Sequence, residues 1–142
     1  MERHPQQGPT GGLTPHLQIG DAKAAEAIDW YGRAFGATEL HRQVADDGRR
    51  LMHAHLLVNG ASLMLHDEFP EYVGPEEAGP AGGSGLTLHL QVDDVDAWFE
   101  RAVEAGARAA MAPADMFWGD RYGQVVDPFG YRWSIGAPLA PR

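Results

Sequence analysis

Seven histidines in a chain without cysteine make imidazole the chemical group to follow. His16 and His89 occupy equivalent places in two similar strings, His53 and His55 lie two residues apart, and His66 follows a short apolar run. Imidazole can act as a general base near neutral pH, ligate a divalent ion, or simply hydrogen-bond in a polar wall. Gln18 and Gln91 each follow a histidine by two residues and add amide donors and acceptors. A second group lies in WGDRYG, where Trp118, Arg121 and Tyr122 combine two rings with a guanidinium, a set suited to a planar or anionic ligand. The competing reading is a structural loop in which Arg121 pairs with Asp120 or another nearby acid. No Ser-His-Asp or Cys-His arrangement follows from spacing, and no glycine loop of the phosphate-cradling kind links a strand to a helix.

The elements that must position these residues occur twice. Residues 13–21 read LTPHLQIGD and residues 86–94 read LTLHLQVDD, identical at six of nine positions. Each string ends in an acid suited to cap a helix, Asp21 or Asp94, and is followed by apolar residues at helical spacing. These are Ala24, Ile28, Tyr31 and Phe35 in the first copy, and Val95, Phe99 and Ala102 or Val103 in the second. Both helical stretches stop at a glycine, Gly36 or Gly106. Later come HLLVNGASLML (55–65), a strand, an Asn-Gly turn and a strand, and QVVDPFGYRWSI (124–135), a strand, a Pro-Gly turn and a strand. Each half reads strand, helix, then two or three strands. The expected layout is a mobile tail over 1–12, module 1 over 13–67, a Gly/Pro-rich linker over 68–85, module 2 over 86–136 and a tail over 137–142.

Strand alternation sorts the side chains by face. Leu17 and Ile19 oppose Thr14, His16 and Gln18; Leu86, Leu88, Leu90 and Val92 oppose Thr87, His89 and Gln91. In the hairpins, His53 and His55 share a face, and Ser62, Met64 and His66 share another. A polar face on an interior strand is either the lining of a cavity or a solvated outer surface. Alternation does not choose between these.

Bulk properties remove several classes. The 142 residues suit one domain with a real core. A net charge of -9 without a basic run argues against nucleic acid, and no run reaches membrane-spanning length. MERHPQQGPTGG lacks the apolar core of a signal peptide, so a cytoplasmic location is expected. Met111, Met116 and Phe117 are expected to pack or to form a lid, and Trp30, Trp98 and Trp133 to pack. Glu68, Glu71, Glu76 and Glu77 read as a solvated acidic loop.

The strings PHLQIGDAKAAEAIDWYGRAFGA and WGDRYGQVVDPFGYRWSI, with the Asp127-Pro128-Phe129-Gly130 turn, resemble the vicinal oxygen chelate superfamily of glyoxalases, bleomycin resistance proteins and extradiol dioxygenases. The resemblance covers about residues 13–136 and is nearest to the bacterial glyoxalase-like and bleomycin-resistance-like branch. It implies an α+β fold of two tandem βαβββ modules, forming a cupped mixed β-sheet cavity with helices outside, and a homodimer. It also implies four ligand positions, one on the first and one on the last strand of each module. Aligned on the I-x-D and V-x-D ends and on the DPFG turn, these fall on Thr14, Met64, Thr87 and Ser134, a poor donor set for a divalent ion. A rival set two residues further along contains His16, His66, His89 and Gly136.

The resulting expectation is a protein that binds a small organic molecule in a cavity between its modules, with no metal and no other cofactor. Its ligand-binding residues would be His16, Gln18, His53, His55, His66, His89, Gln91, Trp118, Arg121 and Tyr122. The alternatives are a metal-dependent lyase, isomerase or dioxygenase using the cavity histidines, and a metal-free enzyme with His16 or His89 as base.

Overall fold

The helical spacing of Ala24, Ile28, Tyr31 and Phe35 becomes α1 (Ala24–Phe35), and all four side chains are buried. Gly36 closes it in the left-handed conformation, its N–H bonding to the Gly32 carbonyl. The computed structural model describes residues 6–73 and 85–139. Glu76, Glu77 and most of the expected linker lie outside the described residues.

The chain divides into two units, Met1–Gly32 with Gly36–Pro80, and Arg33–Phe35 with Ala81–Arg142. In the first, β1 (His16–Ile19), β2 (Thr38–Val44), β3 (Leu51–Val58) and β4 (Ala61–Asp67) form a sheet of order β1-β4-β3-β2. A one-turn helix, α2 (Pro70–Val73), follows β4. The second unit contains β5 (Thr87–Gln91), α3 (Val95–Glu104), β6 (Arg108–Asp115), β7 (Asp120–Val126) and β8 (Arg132–Pro138), with sheet order β5-β8-β7-β6. In each sheet the first and last strands run parallel and the other pairs antiparallel. The third hairpin strand, left open by the sequence, is therefore present in both copies, and the tandem βαβββ build is observed.

Alternation holds along the strands. Leu17, Leu65 and Ala54 align across the first sheet, as do Leu88, Trp133 and Val125 across the second, and all six are buried. In the second unit α3 packs on β6, β7 and β8, burying Val95 and Ala102 while Val103 stays exposed. Asn59 and Gly60 both take positive φ, 50° and 81°, the mirror-image turn that matches strand twist.

Three local expectations need correction. Asp94 caps α3 by accepting from the Ala97 N–H at 3.1 Å, but Asp21 does not cap α1. Asp21 and Ala22 instead take left-handed φ of 60° and 58°, and the Ala24 N–H donates to Asp67 Oδ1 at 2.8 Å. The Leu51 N–H donates to Asp67 Oδ2 at 2.7 Å, so one buried carboxylate joins the helix start, β3 and β4. Second, Pro70 opens the short helix α2 inside the stretch read as a Gly/Pro-rich linker; proline is tolerated at a first helical position. Third, β7 starts at Asp120, so Arg121 and Tyr122 lie in a strand rather than in the preceding loop.

Candidate functional site: two polar sheet faces

In the first unit the core side of the sheet is aliphatic, and the opposite side gathers histidines. His16 pairs with Met64, Met64 with His55 and His55 with His41, so one rung carries three imidazoles and a thioether. Gln18 pairs with His66, and Gln43 with His53. The ring of His16 stands edge-on to His66 with centroids 4.8 Å apart, and to His53 at 6.2 Å; His53 is 6.2 Å from His41. Burial, reinforced by the neighbouring charges of His66 and His53, lowers the His16 pKa below its ordinary 6.5.

His55 is buried, and its partners assign its tautomer. Nδ1 lies 2.7 Å from the Gln6 carbonyl, which can only accept, so Nδ1 donates. Nε2, 2.8 Å from Ser62 Oγ, then accepts from the hydroxyl in the neutral ring. His53 Nε2 donates to the Gln7 carbonyl. His66 Nδ1 donates to the Asp67 carbonyl at 2.7 Å.

The second unit carries a different set on the equivalent face. His89 pairs with Ser134 and Ser134 with Gln124; Gln91 pairs with Gly136 and Gly136 with Tyr122; Thr87 pairs with Arg132. His89 Nδ1 is 2.7 Å from Ser134 Oγ, and Nε2 is 2.8 Å from Gln91 Oε1. With Nε2 donating to the amide oxygen, Nδ1 accepts from the serine hydroxyl. The His89 ring stacks on Tyr122 at 6.3 Å and 15°, and Trp118 meets Tyr122 edge-on at 5.7 Å. A chain of bonds continues the face: Gln124 Nε2 donates to Tyr122 Oη at 2.9 Å, and Arg132 Nη1 donates to Gln124 Oε1 at 2.8 Å.

Gly136 makes room for this arrangement. A Cβ there would sit 3.0 Å from His89 Cε1 and 3.6 Å from Tyr122 Cδ2. Beneath the face, Asp127 holds the turn before β8. Its Oδ1 accepts from the Phe129 and Tyr131 N–H groups at 2.9 and 3.0 Å, and Oδ2 accepts from Trp133 Nε1 at 2.8 Å.

The structure thus groups His16, Gln18, His53, His55 and His66 on the polar face of the first sheet. It groups His89, Gln91 and Tyr122, with Trp118 against Tyr122, on that of the second. Arg121 stands apart. It pairs with Ala137 on the core side of the sheet and forks onto Asp96 of α3 at 2.9 and 3.0 Å, with a further bond to Asp115 at 3.0 Å. The structural reading of Arg121 therefore describes its contacts, with Asp96 and Asp115 as the acids in place of Asp120. Sequence reasoning missed His41, Gln124, Arg132 and the Gln6 and Gln7 carbonyls; strand alternation would have flagged Gln124 and Arg132, which share parity with Tyr122 and Ser134.

Register also revises the metal positions. The first-strand residues beside Met64 and Ser134 are His16 and His89, not Thr14 and Thr87. Within each sheet the pair is therefore His16 with Met64 and His89 with Ser134, with no carboxylate in either and with both His89 nitrogens engaged. Neither pair offers the carboxylates or several imidazoles that a hard or borderline divalent ion prefers. Among the described residues no three His, Asp or Glu side chains are grouped to hold a metal ion. Nor, among them, is any helix long and apolar enough to cross a membrane.

Comparison with known proteins follows the same outline. The chain is 48% identical over 144 residues to an uncharacterized protein of Mycobacterium tuberculosis strain H37Rv, covering 96% of this chain and 83% of that one. Protein YjdN of Escherichia coli K12 is 28% identical, with 87% and 92% covered. Among solved structures, protein PA1353 from Pseudomonas aeruginosa superposes with a TM-score of 0.69 at 27% identity, covering 91% of this chain and 98% of that one. TioX from Micromonospora sp. ML1 does so with a TM-score of 0.65 at 29% identity, covering 90% and 100%. The family model matching residues 14–135 accounts for both βαβββ copies, and the chain belongs to the Glyoxalase/Bleomycin resistance protein/Dioxygenase superfamily.

Proposed function

We propose that this protein binds a small, partly aromatic organic molecule on the polar face of its second sheet, without a divalent metal. The observation that carries this reading is the wall of His89 stacked on Tyr122 with Trp118 edge-on, beside the hydrogen-bonding groups of Gln91, Gln124 and Arg132. Rings supply apolar contact at low conformational cost, and a few fixed polar groups set orientation. Trp118 is 50% exposed and so is open to contact. Binding needs no group that turns over, which agrees with a donor set that suits no metal. His16, Gln18, His53, His55 and His66 contribute a second polar surface in the same reading, while Arg121 serves the fold.

Isothermal calorimetry tests this against a panel of glycopeptide-type and other planar, amide-bearing molecules. The expected result is saturable binding that Trp118→Ala and His89→Ala weaken at least tenfold, unchanged by chelator. Binding that neither substitution affects, or that chelator abolishes, would sink the reading.

A further inference from the structure

The N-terminal segment, expected from its composition to be a mobile tail, supplies two groups to the histidine face of the first unit. The Gln6 carbonyl accepts from His55 Nδ1 at 2.7 Å, and the Gln7 carbonyl accepts from His53 Nε2. Gly8 is buried. His53 and His55 are alternate residues of β3, so their side chains leave the same side of the sheet from backbone positions about 6–7 Å apart. Both partners are main-chain carbonyls of consecutive residues. A polar face meant only for water would not need a ring tautomer set by a carbonyl on one side and Ser62 on the other.

We infer that the face made by His53, His55 and Ser62 is a recognition site for the paired amide carbonyls of a peptide-like chain, and that residues 6–8 are its built-in, displaceable occupant. The site lies on the first sheet, and its test does not depend on ligand binding at the aromatic wall of the second. Two points favour displacement over a permanent strap. These two bonds fall on backbone atoms that any peptide possesses, so an incoming chain can reproduce them without matching a side chain. The segment also precedes β1 and contributes no strand to the sheet, so its release leaves every ladder intact.

The experiment compares the full chain with one beginning at Gly11, using imidazole 15N–1H correlation spectra of His53 and His55. The probe is the synthetic peptide of residues 1–10. The full chain should show His55 as the Nδ1–H tautomer with a slowly exchanging ring proton. The shortened chain should lose that signature and regain it on titration with the peptide. The full chain should bind the peptide at least tenfold more weakly, because its own segment competes. A peptide with both glutamines replaced by alanine should bind as well as the original; binding that requires the glutamines overturns the proposed ligand class. Identical ring signals in both chains, or no restoration by peptide, overturns the inference. If the shortened chain does not fold, a spin label on Thr10→Cys in the full chain decides, since no other cysteine is present. The label should be restrained, and freed when His53→Ala and His55→Phe are added; equal mobility in the two overturns the inference.

Discussion

Replacing Gly136 by alanine tests how tightly the second polar face is built. The glycine is not at a left-handed φ, so its backbone accepts an L-residue and any effect is steric. The new methyl would stand 3.0 Å from His89 Cε1 and 3.5 Å from Nε2. Ordinary carbon contacts lie near 3.5–4.0 Å, so the ring must retreat by about 0.5 Å or more. His89 is held by contacts of 2.7 Å to Ser134 and 2.8 Å to Gln91. A retreat of that size stretches them to about 3.2–3.3 Å, beyond the good range for a hydrogen bond. Weakening two such bonds costs roughly 1 kcal/mol, and the gain from replacing a strand glycine offsets about half of it. The melting temperature should therefore fall by no more than about 4 °C, while the His89 ring loses its tautomeric preference. Differential scanning calorimetry reads the first and imidazole 15N–1H spectra read the second. Unchanged His89 ring signals would refute the steric argument. A fall above about 10 °C would show that the methyl displaces backbone rather than a mobile ring.

Other outcomes follow from the buried carboxylates and the histidine cluster. Asp67→Ala leaves the Ala24 and Leu51 N–H groups without their acceptor, at a cost of about 2–5 kcal/mol, and should lower the melting temperature by roughly 6–15 °C in calorimetry. Asp127→Asn can keep an oxygen toward Phe129 and Tyr131 but then turns an NH2 toward Trp133 Nε1. That opposition costs about 1–3 kcal/mol, and the same substitution made in a Trp133→Phe background should cost much less; equal losses in the two backgrounds would contradict the assignment. The His16 pKa is lowered in the folded state, so just below pH 6.5 the unfolded chain binds more protons than the folded one. Stability contributed by neutral His16 should fall as pH drops through 6.5 and level off once the folded-state ring also protonates. His16→Asn should flatten this part of a melting-temperature profile taken between about pH 7.5 and about pH 5.

Much of the architecture could be read without coordinates because it depends on local periodicity. The match between LTPHLQIGD and LTLHLQVDD announced the duplication, and the glycines after each helical stretch marked the ends of α1 and α3. Alternation sorted His16 and Gln18 from Leu17 and Ile19, and His89 and Gln91 from Leu88 and Leu90, because a strand turns each side chain through half a circle from the last. That property belongs to one strand and needs no neighbour.

The tertiary structure decided which strand residues stand side by side. A shift of two residues keeps every side chain on its own face while moving it about 6–7 Å, so alternation cannot detect it. Pairing places His16 beside Met64 and His89 beside Ser134, which replaced the threonines in the expected donor set without supplying a carboxylate. The remaining surprises are also non-local. Asp67 caps a helix 43 residues earlier, Arg121 meets an acid 25 residues away, and the Gln6 carbonyl reaches a histidine 49 residues on. Such contacts depend on which strands pair and on the course of the loops, which residue type alone does not specify. The histidines repeated in sequence therefore ended in different chemistry: His16 lies among other imidazoles, and His89 lies between a serine, a glutamine and a tyrosine ring.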